Sequence, residues 1–142
     1  MTIHQLSVFI ENRSGTLVKV LEVLKKAQIQ IIASTIADTA EYGIYRLICS
    51  EPIRAYEELK EAGIAVALSD VVALELDNEP GRSHDAIEII SKTGVSITYM
   101  YTFLFNGKGI MVFRTDNPEE ARETIILNNL KFISEKDLSK WV

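Results

Sequence analysis

The sequence predicts an α+β fold of two ferredoxin-like βαββαβ units in tandem, each with an antiparallel sheet that carries its helices on one face. Two observations support this prediction. The chain aligns with itself without a gap when it is shifted by 66 positions, and both halves show the same succession of strand and helix periodicities. We place the first domain at residues 1–68 and the second at residues 69–142.

Ten positions are identical between the two halves, where unrelated segments of ordinary composition would share about four. The matches include residues that set backbone geometry, since Gly15 aligns with Gly81 and Pro52 with Pro118. Glycine and proline determine turns and helix starts, so their retention indicates a duplicated fold. The other matched residues of the first half are Asn12, Glu22, Lys26, Ile31, Gly43, Ile44, Ala55 and Glu57.

The spacing of apolar residues defines the elements of the first unit. Four of them between positions 17 and 24 follow the i, i+3, i+4, i+7 pattern of one helix face. Pro52 favours a first helical turn with Glu51 at the N-cap position, and Gly63 ends that helix. We predict strands at residues 6–10, 29–36, 44–49 and 64–68, and helices at residues 17–24 and 52–62.

The second unit repeats this order of elements. Asn117 caps a helix that begins at Pro118 and continues with two acidic residues, which the helix dipole favours. The aromatic run at residues 99–103 belongs to the core, to a dimer face or to the wall of a ligand pocket. We predict strands at 71–76, 95–101, 109–114 and 131–134, a helix from 83 to about 93, and one helical turn in the tail 135–142. In both units the sheet face away from the helices should be solvated or covered by a partner.

Composition narrows the class of protein. The chain has 142 residues, 47% of them apolar, and a net charge of −5, which disfavours disorder and binding to nucleic acid. It contains no apolar run long enough to span a membrane, and its start lacks the features of a signal peptide. Cys49 is the single cysteine, so no internal disulfide forms. We expect a soluble, cytoplasmic protein, and the high apolar content favours a homodimer.

Two equivalent segments, 11–17 and 77–83, join the first strand of each unit to its first helix. The glycine in each segment permits a tight turn, and the first N–H groups of the helix that follows have no partner inside the helix. Those groups carry partial positive charge and suit a carboxylate, whereas an asparagine amide both donates and accepts hydrogen bonds. Together they could hold the two polar ends that all amino acids share.

The order of elements and these two loops resemble the ACT domain, an amino-acid-sensing module attached to many metabolic enzymes. The first loop is similar to that of the serine-sensing domain of phosphoglycerate dehydrogenase, with Ser14 where that loop has proline and Ile10 where it has a histidine. The second loop keeps Asp77, Asn78, Pro80 and Gly81, but Ser83 replaces a hydrophobic residue. The resemblance covers both units.

In this family a ligand typically lies between the loop of one domain and the second strand of another. The resemblance therefore implies a non-catalytic protein that binds a small amino acid, needs no cofactor or metal, and acts through a metabolic enzyme or regulator in trans. The first site is favoured if only one is used, because Gln30 keeps an amide on that strand and Ser96 does not. The implied ligand contacts are Asn12, Arg13, Ser14, Gly15, Thr16, Leu17, Gln30, Ile31, Asn78, Glu79, Pro80, Gly81, Arg82, Ser83, Ser96 and Ile97.

Other interpretations stay open at this point. The asparagines could simply stabilise turns, and Arg13 and Arg82 could be solvated surface residues rather than carboxylate ligands. The whole chain could be an oligomerisation module with empty loops. An enzyme of this fold would need a placed acid, base or nucleophile, and no such set is evident. RNA binding would need aromatic residues in a basic setting, which the negative net charge disfavours.

Overall fold

The computed structural model describes residues 2–11, 15–38 and 42–141. Seven strands and five helices occur in these ranges, and they confirm the α+β fold of two tandem ferredoxin-like units. The elements are β1 Ile3–Glu11, α1 Thr16–Lys26, β2 Ile31–Asp38, β3 Tyr42–Cys49, α2 Pro52–Glu61, β4 Val66–Asp77, α3 Arg82–Ser91, β5 Ile97–Phe105, β6 Lys108–Thr115, α4 Pro118–Leu127, β7 Lys131–Phe132 and α5 Glu135–Ser139.

The chain divides into two compact units. One comprises His4–Ser69 with the end of the chain from Leu138, and the other comprises Asp70–Asp137 with the start of the chain up to Ile3. The separate strands predicted at 64–68 and 71–76 are wrong, because Val66–Asp77 forms a single strand. No glycine or proline lies within it, so nothing in the backbone forces a turn where one unit passes into the next.

The sheet of the first unit has the order β2-β3-β1-β4. All its neighbours are antiparallel where the register is defined, for example Leu6 opposite Leu47 in β1 and β3. The amide of Phe9 donates to the carbonyl of Ala65 at 3.0 Å, next to the start of β4. One face of this sheet packs against α1 and α2 and forms a buried core of Leu6, Val8, Val20, Leu24, Ile29, Tyr45, Leu47, Cys49, Ala55 and Leu59.

The second unit has the equivalent order β5-β6-β4-β7. Strand β7 is shorter than the predicted 131–134, although the amide of Ile133 still donates to the carbonyl of Ala73 at 2.9 Å. Strand β5 extends to Phe105, beyond the predicted end at Tyr101. The core of the second unit contains Val72, Leu74, Ile90, Val95, Met111, Phe113, Ala121 and Ile125.

The second helix of each unit begins at a proline, as predicted. Asn117 caps α4 by accepting a hydrogen bond from the amide of Glu120 at 3.2 Å. Glu51 occupies the same position before α2, but its side chain makes no capping bond and instead pairs with Arg54. The predicted end at Gly63 is also confirmed, since that residue has a φ of 79° just after the C-cap.

On the sheet faces away from the helices some side chains are buried and others are exposed. Gln5 and Ile48 in the first unit are fully buried, and Ile110 and Val112 in the second are 1% exposed. Phe9, on the same face of β1 as Gln5, is 46% exposed, so the expectation that these faces are solvated or covered by a partner stays a prediction. The described residues contain no helix that is both long enough and apolar enough to cross a membrane.

Candidate functional site

Each unit turns from its first strand into its first helix at a glycine in the left-handed region. Gly15 has a φ of 92° and precedes α1, and Gly81 has a φ of 85° and precedes α3. Because glycine lacks a side chain, neither N-cap residue can satisfy the N–H groups of the first helical turn. The glycine turn is therefore present in both units, although the first amide of α3, that of Arg82, already donates to the carbonyl of Glu79 at 3.4 Å.

In the second unit this loop lines a cavity of about 240 Å³. The structure brings four of the predicted residues together around it: Asn78, Glu79, Arg82 and Ser83. The opposite wall is formed by residues of β5 and β6 that were not among the predicted contacts. The remaining lining residues are Leu76, Asp77, Thr102, Phe103, Leu104, Gly109 and Ile110.

The cavity carries charges of both signs. Arg82 Nη2 donates to Glu79 Oε2 at 2.7 Å, and this hydrogen bond raises the pKa of the guanidinium. A second contact joins Arg82 Nη1 to Asp85 Oδ2 at 3.5 Å. At the other end of the loop, Lys108 Nζ donates to Asp77 Oδ1 at 2.8 Å, which lowers the pKa of that carboxyl group. The charged residues that line the cavity, Asp77, Glu79 and Arg82, are thus all paired within this unit.

The rest of the loop shapes the turn. Pro80 and Gly81 are exposed, and neither lines the cavity. The amide of Glu79 donates to the carbonyl of Asp77 at 2.9 Å, and the carbonyl of Gly81 accepts from the amide of Asp85 at 3.0 Å as the helix begins. These two backbone bonds shape the turn from which α3 begins.

Ser96 and Ile97 lie at the other end of β5. The amide of Ser96 donates to Asp116 Oδ1 at 3.0 Å, and Ile97 pairs with Thr115. The cavity wall begins at Thr102, six residues further on, which corresponds to roughly 20 Å along a strand. Within their own unit these two predicted residues are therefore not part of the cavity.

The missed wall residues had a signal in the sequence. Gly109-Ile110 is the only adjacent pair conserved between the two halves, at the place where Gly43-Ile44 stands in the first. A Cβ on Gly109 would lie 3.6 Å from the carbonyl oxygen of Leu76, an ordinary contact distance, so the packing of β6 beside β4 does not by itself require this glycine. Of the aromatic run, Thr102 and Phe103 line this cavity, so the pocket-wall interpretation stays a prediction for these two residues.

In the first unit the central loop residues Asn12, Arg13 and Ser14 lie outside the described residues. Thr16 Oγ1 donates to the carbonyl of Glu11 at 2.8 Å. Leu17 is half-buried against the core.

The predicted second-strand residues of the first unit parallel those of the second. The amide of Gln30 donates to Ser50 Oγ at 3.0 Å, as the amide of Ser96 does to Asp116. The Gln30 residue is exposed, while Ile31 pairs with Cys49 and packs partly against the core. These positions are thus equivalent in the fold as well as in the sequence. Among the described residues, no group of three or more His, Cys, Asp or Glu side chains is arranged to hold a metal ion.

Comparison with known proteins settles the family. The model of a family described as an ACT domain pair matches residues 1–142. This chain belongs to that family. A search of curated proteins with this chain found no significant match.

Solved structures resemble this ACT domain pair to different degrees. Protein BT0572 from Bacteroides thetaiotaomicron is 38% identical with a TM-score of 0.94, over 99% of this chain and 97% of that one. The ligand-free regulatory subunit of aspartate kinase from Thermus thermophilus is 14% identical with a TM-score of 0.61, over 87% and 91%. Aspartate kinase from Clostridium acetobutylicum is 15% identical with a TM-score of 0.52, over 87% of this chain and 32% of that one. The last two share the fold.

Proposed function

We propose that this ACT domain pair is a non-catalytic regulatory protein that binds a free amino acid at its glycine loops. The observation that carries the proposal is the cavity of about 240 Å³ beside Gly81, with Arg82 and Glu79 on one side and an apolar strand on the other. Its volume is below the roughly 300–1,000 Å³ typical of pockets for larger ligands. An amino acid matches that size.

The charges fit an amino acid zwitterion. The Arg82 guanidinium and the start of α3 can receive the carboxylate, because both present donors and positive charge. The carboxylates of Asp77 and Glu79 can receive the ammonium group. The apolar wall, formed by Leu76, Phe103, Leu104 and Ile110, would then face the side chain.

Family resemblance supplies the rest of the proposed site. Gln30 and Ser96, with Ile31 and Ile97 beside them, would contact ligand from the second strand of a neighbouring ACT domain. We expect the protein to act as a cytoplasmic homodimer that passes its ligand-bound state to a metabolic enzyme or regulator. The names of two structural neighbours, a regulatory subunit and an aspartate kinase, accord with such a role.

Thermal-shift and calorimetric titration with each of the twenty amino acids tests the proposal. A ligand that binds only the folded state stabilises it by about 2.7 kcal/mol at a hundred times its Kd. We expect one amino acid, or a small group of similar ones, to raise the Tm of the wild type. Arg82→Ala should abolish that response, whereas His84→Ala should keep it, because His84 is exposed on the same helix and does not line the cavity. The absence of a response to all twenty would overturn the proposal.

An assembly module without ligand is the second candidate. The first helix of the chain exposes apolar surface, with Val18 65% exposed. Under this alternative, oligomers would form and no amino acid would change the Tm. The titration above therefore separates the two functions.

A further inference from the structure

A row of three residues crosses the sheet of the second unit at the cavity beside Gly81. In the strand register, Leu76 of β4 and Leu104 of β5 both stand opposite Gly109 of β6. Cross-strand partners project to the same face of a sheet. This face carries the helices, because Met111, two residues after Gly109, lies in the core of the unit. The cavity therefore lies between this floor row and the start of α3, which both line it.

Gly109 leaves open space in the middle of the floor row. Among the described residues, a Cβ at this position would meet within 4 Å only the carbonyl oxygen of Leu76 at 3.6 Å and the Leu76 Cβ at 3.9 Å. Both are ordinary contact distances, so strand packing does not exclude a side chain here. No atom of α3 or of Leu104 comes as near. The missing side chain therefore leaves a space in the floor of the cavity.

The equivalent glycine of the first unit is covered by its neighbour. Gly43 corresponds to Gly109 in the repeat, and Ile10 corresponds to Leu76. The Cγ1 and Cδ1 atoms of Ile10 would lie 3.4 Å and 3.6 Å from a Cβ on Gly43. In the second unit, by contrast, no side-chain atom of Leu76 beyond its Cβ comes within 4 Å of the same point. The space over the glycine is therefore a feature of the second unit.

The floor row suits an aliphatic ligand group. Leu104 is 64% exposed, and an aliphatic group packed between it and Leu76 would remove apolar surface from water. A charged ligand side chain over this row would lose its water without gaining a partner, at a cost in free energy. The charged residues of the cavity lie outside the floor row and are already paired: Asp77, Glu79 and Arg82.

We propose that the second unit selects amino acids with an aliphatic side chain, such as valine, leucine and isoleucine, and that Gly109 sets the size of side chain that fits. The ligand side chain lies over Gly109, between Leu76 and Leu104. Its ammonium and carboxylate groups then face the glycine loop and the start of α3. This inference rests on the proposed function, and it names the class of ligand for one of the two loops.

Calorimetric titration of the full chain tests this ligand class, with valine, leucine and isoleucine compared against phenylalanine, serine, aspartate and lysine. The wild type should bind one of the three aliphatic amino acids at least about tenfold more tightly than any of the other four. Gly109→Ala puts a methyl group into the floor and should weaken binding of that ligand by at least about tenfold. Gly43→Ala, the same change at the equivalent position of the first unit, should leave its Kd unchanged.

Chemical denaturation shows whether the variants are folded, and Leu104→Ser gives a second test at a mostly exposed residue. That change removes apolar surface from the floor row and should also weaken binding of the aliphatic ligand. Three results would overturn the inference and leave the proposed function standing. They are tightest binding of one of the other four amino acids, normal binding by both Gly109→Ala and Leu104→Ser, and equal losses in Gly109→Ala and Gly43→Ala. A wild type that binds no amino acid would overturn the proposed function itself, and this inference with it.

Discussion

Lys108 and Asp77 join the first residue of β6 to the last residue of β4. Lys108 Nζ donates to Asp77 Oδ1 at 2.8 Å, and the two residues are also partners in the strand register. The pair stands where the glycine loop leaves the sheet, so it ties the loop to the strand that forms the opposite wall of the cavity. Both side chains are about half exposed, at 47% and 58%, so the strength of the contact will depend on salt.

The Asp77–Lys108 pair predicts a pH-dependent stability. The hydrogen bond from Lys108 lowers the pKa of Asp77 in the folded state, so the pair stabilises the protein above the ordinary aspartate pKa of about 3.9 and loses this effect as pH falls through the lowered value. The Tm of the wild type should exceed that of Asp77→Asn by a constant amount at neutral pH, and the gap should close in acid. Thermal denaturation across pH measures it. A gap that persists at a pH of about 2 would contradict the assignment.

The wall of the cavity predicts a position-specific effect on β5. Leu104 lines the cavity. Met100 lies on the same face of β5, four residues earlier, and does not line the cavity. Leu104→Glu should weaken amino-acid binding by about tenfold or more, because it puts a charge into the apolar wall that faces the ligand side chain. Met100→Glu adds the same charge to an exposed residue outside the cavity and should bind normally. Calorimetry compares them, and equal losses would place the ligand elsewhere.

The left-handed backbone at Gly81 predicts a cost for any side chain there. At a φ of 85° an added Cβ meets no atom within 4 Å, so the effect would come from backbone strain alone. Gly81→Ala should lower the free energy of unfolding by about 1–2 kcal/mol, and Gly81→Asn by less, because asparagine tolerates this region. Chemical denaturation measures both. Gly109→Ala, at ordinary φ and with normal contacts, controls for the added methyl group. If Ala and Asn cost the same at position 81, strain is not the cause.

Much of the fold could be predicted because the determinants are local. Gly15 and Gly81 form equivalent turns, and Pro52 and Pro118 begin equivalent helices. The sequence repeat therefore predicted the same backbone in both units. The single strand through Ser69 and Asp70 was not predicted. The predicted strands ended at residue 68 and resumed at residue 71, yet neither Ser69 nor Asp70 forces a break, and β4 pairs with β1 and β6.

The lining of the candidate cavity was predicted only in part, because residues far apart in the sequence form it. Asn78, Glu79, Arg82 and Ser83 are adjacent in sequence and follow a family pattern. The strand residues Thr102–Leu104 reach the cavity through the register of β5 with β6, in which Leu104 stands opposite Gly109. That register depends on the strand lengths, and β5 is longer than its pattern indicated. Residue type alone therefore could not reveal which part of β5 faces the loop.

Arg54 predicts a stability effect confined to the first unit. Its Nη2 donates to the carbonyl of Ala27, the C-cap of α1, at 2.7 Å and to Glu51 Oε2 at 2.7 Å, while Nε donates to Glu51 Oε1 at 3.1 Å. Position 120 of the second unit corresponds to Arg54 but holds a glutamate that takes part in the Asn117 cap.

One guanidinium thus binds the end of α1 to the start of α2, and no single ammonium can reproduce its planar pair of bonds. Arg54→Ala should lower the Tm, Arg54→Lys should recover only part of the loss, and Glu51→Gln should cost less than Arg54→Ala because the bond to Ala27 remains. Differential scanning calorimetry ranks the three variants. If the Tm of Arg54→Lys equals that of the wild type, a single positive charge is sufficient. The simultaneous bonds of the guanidinium to Ala27 and Glu51 would then not be what stabilises the two helices.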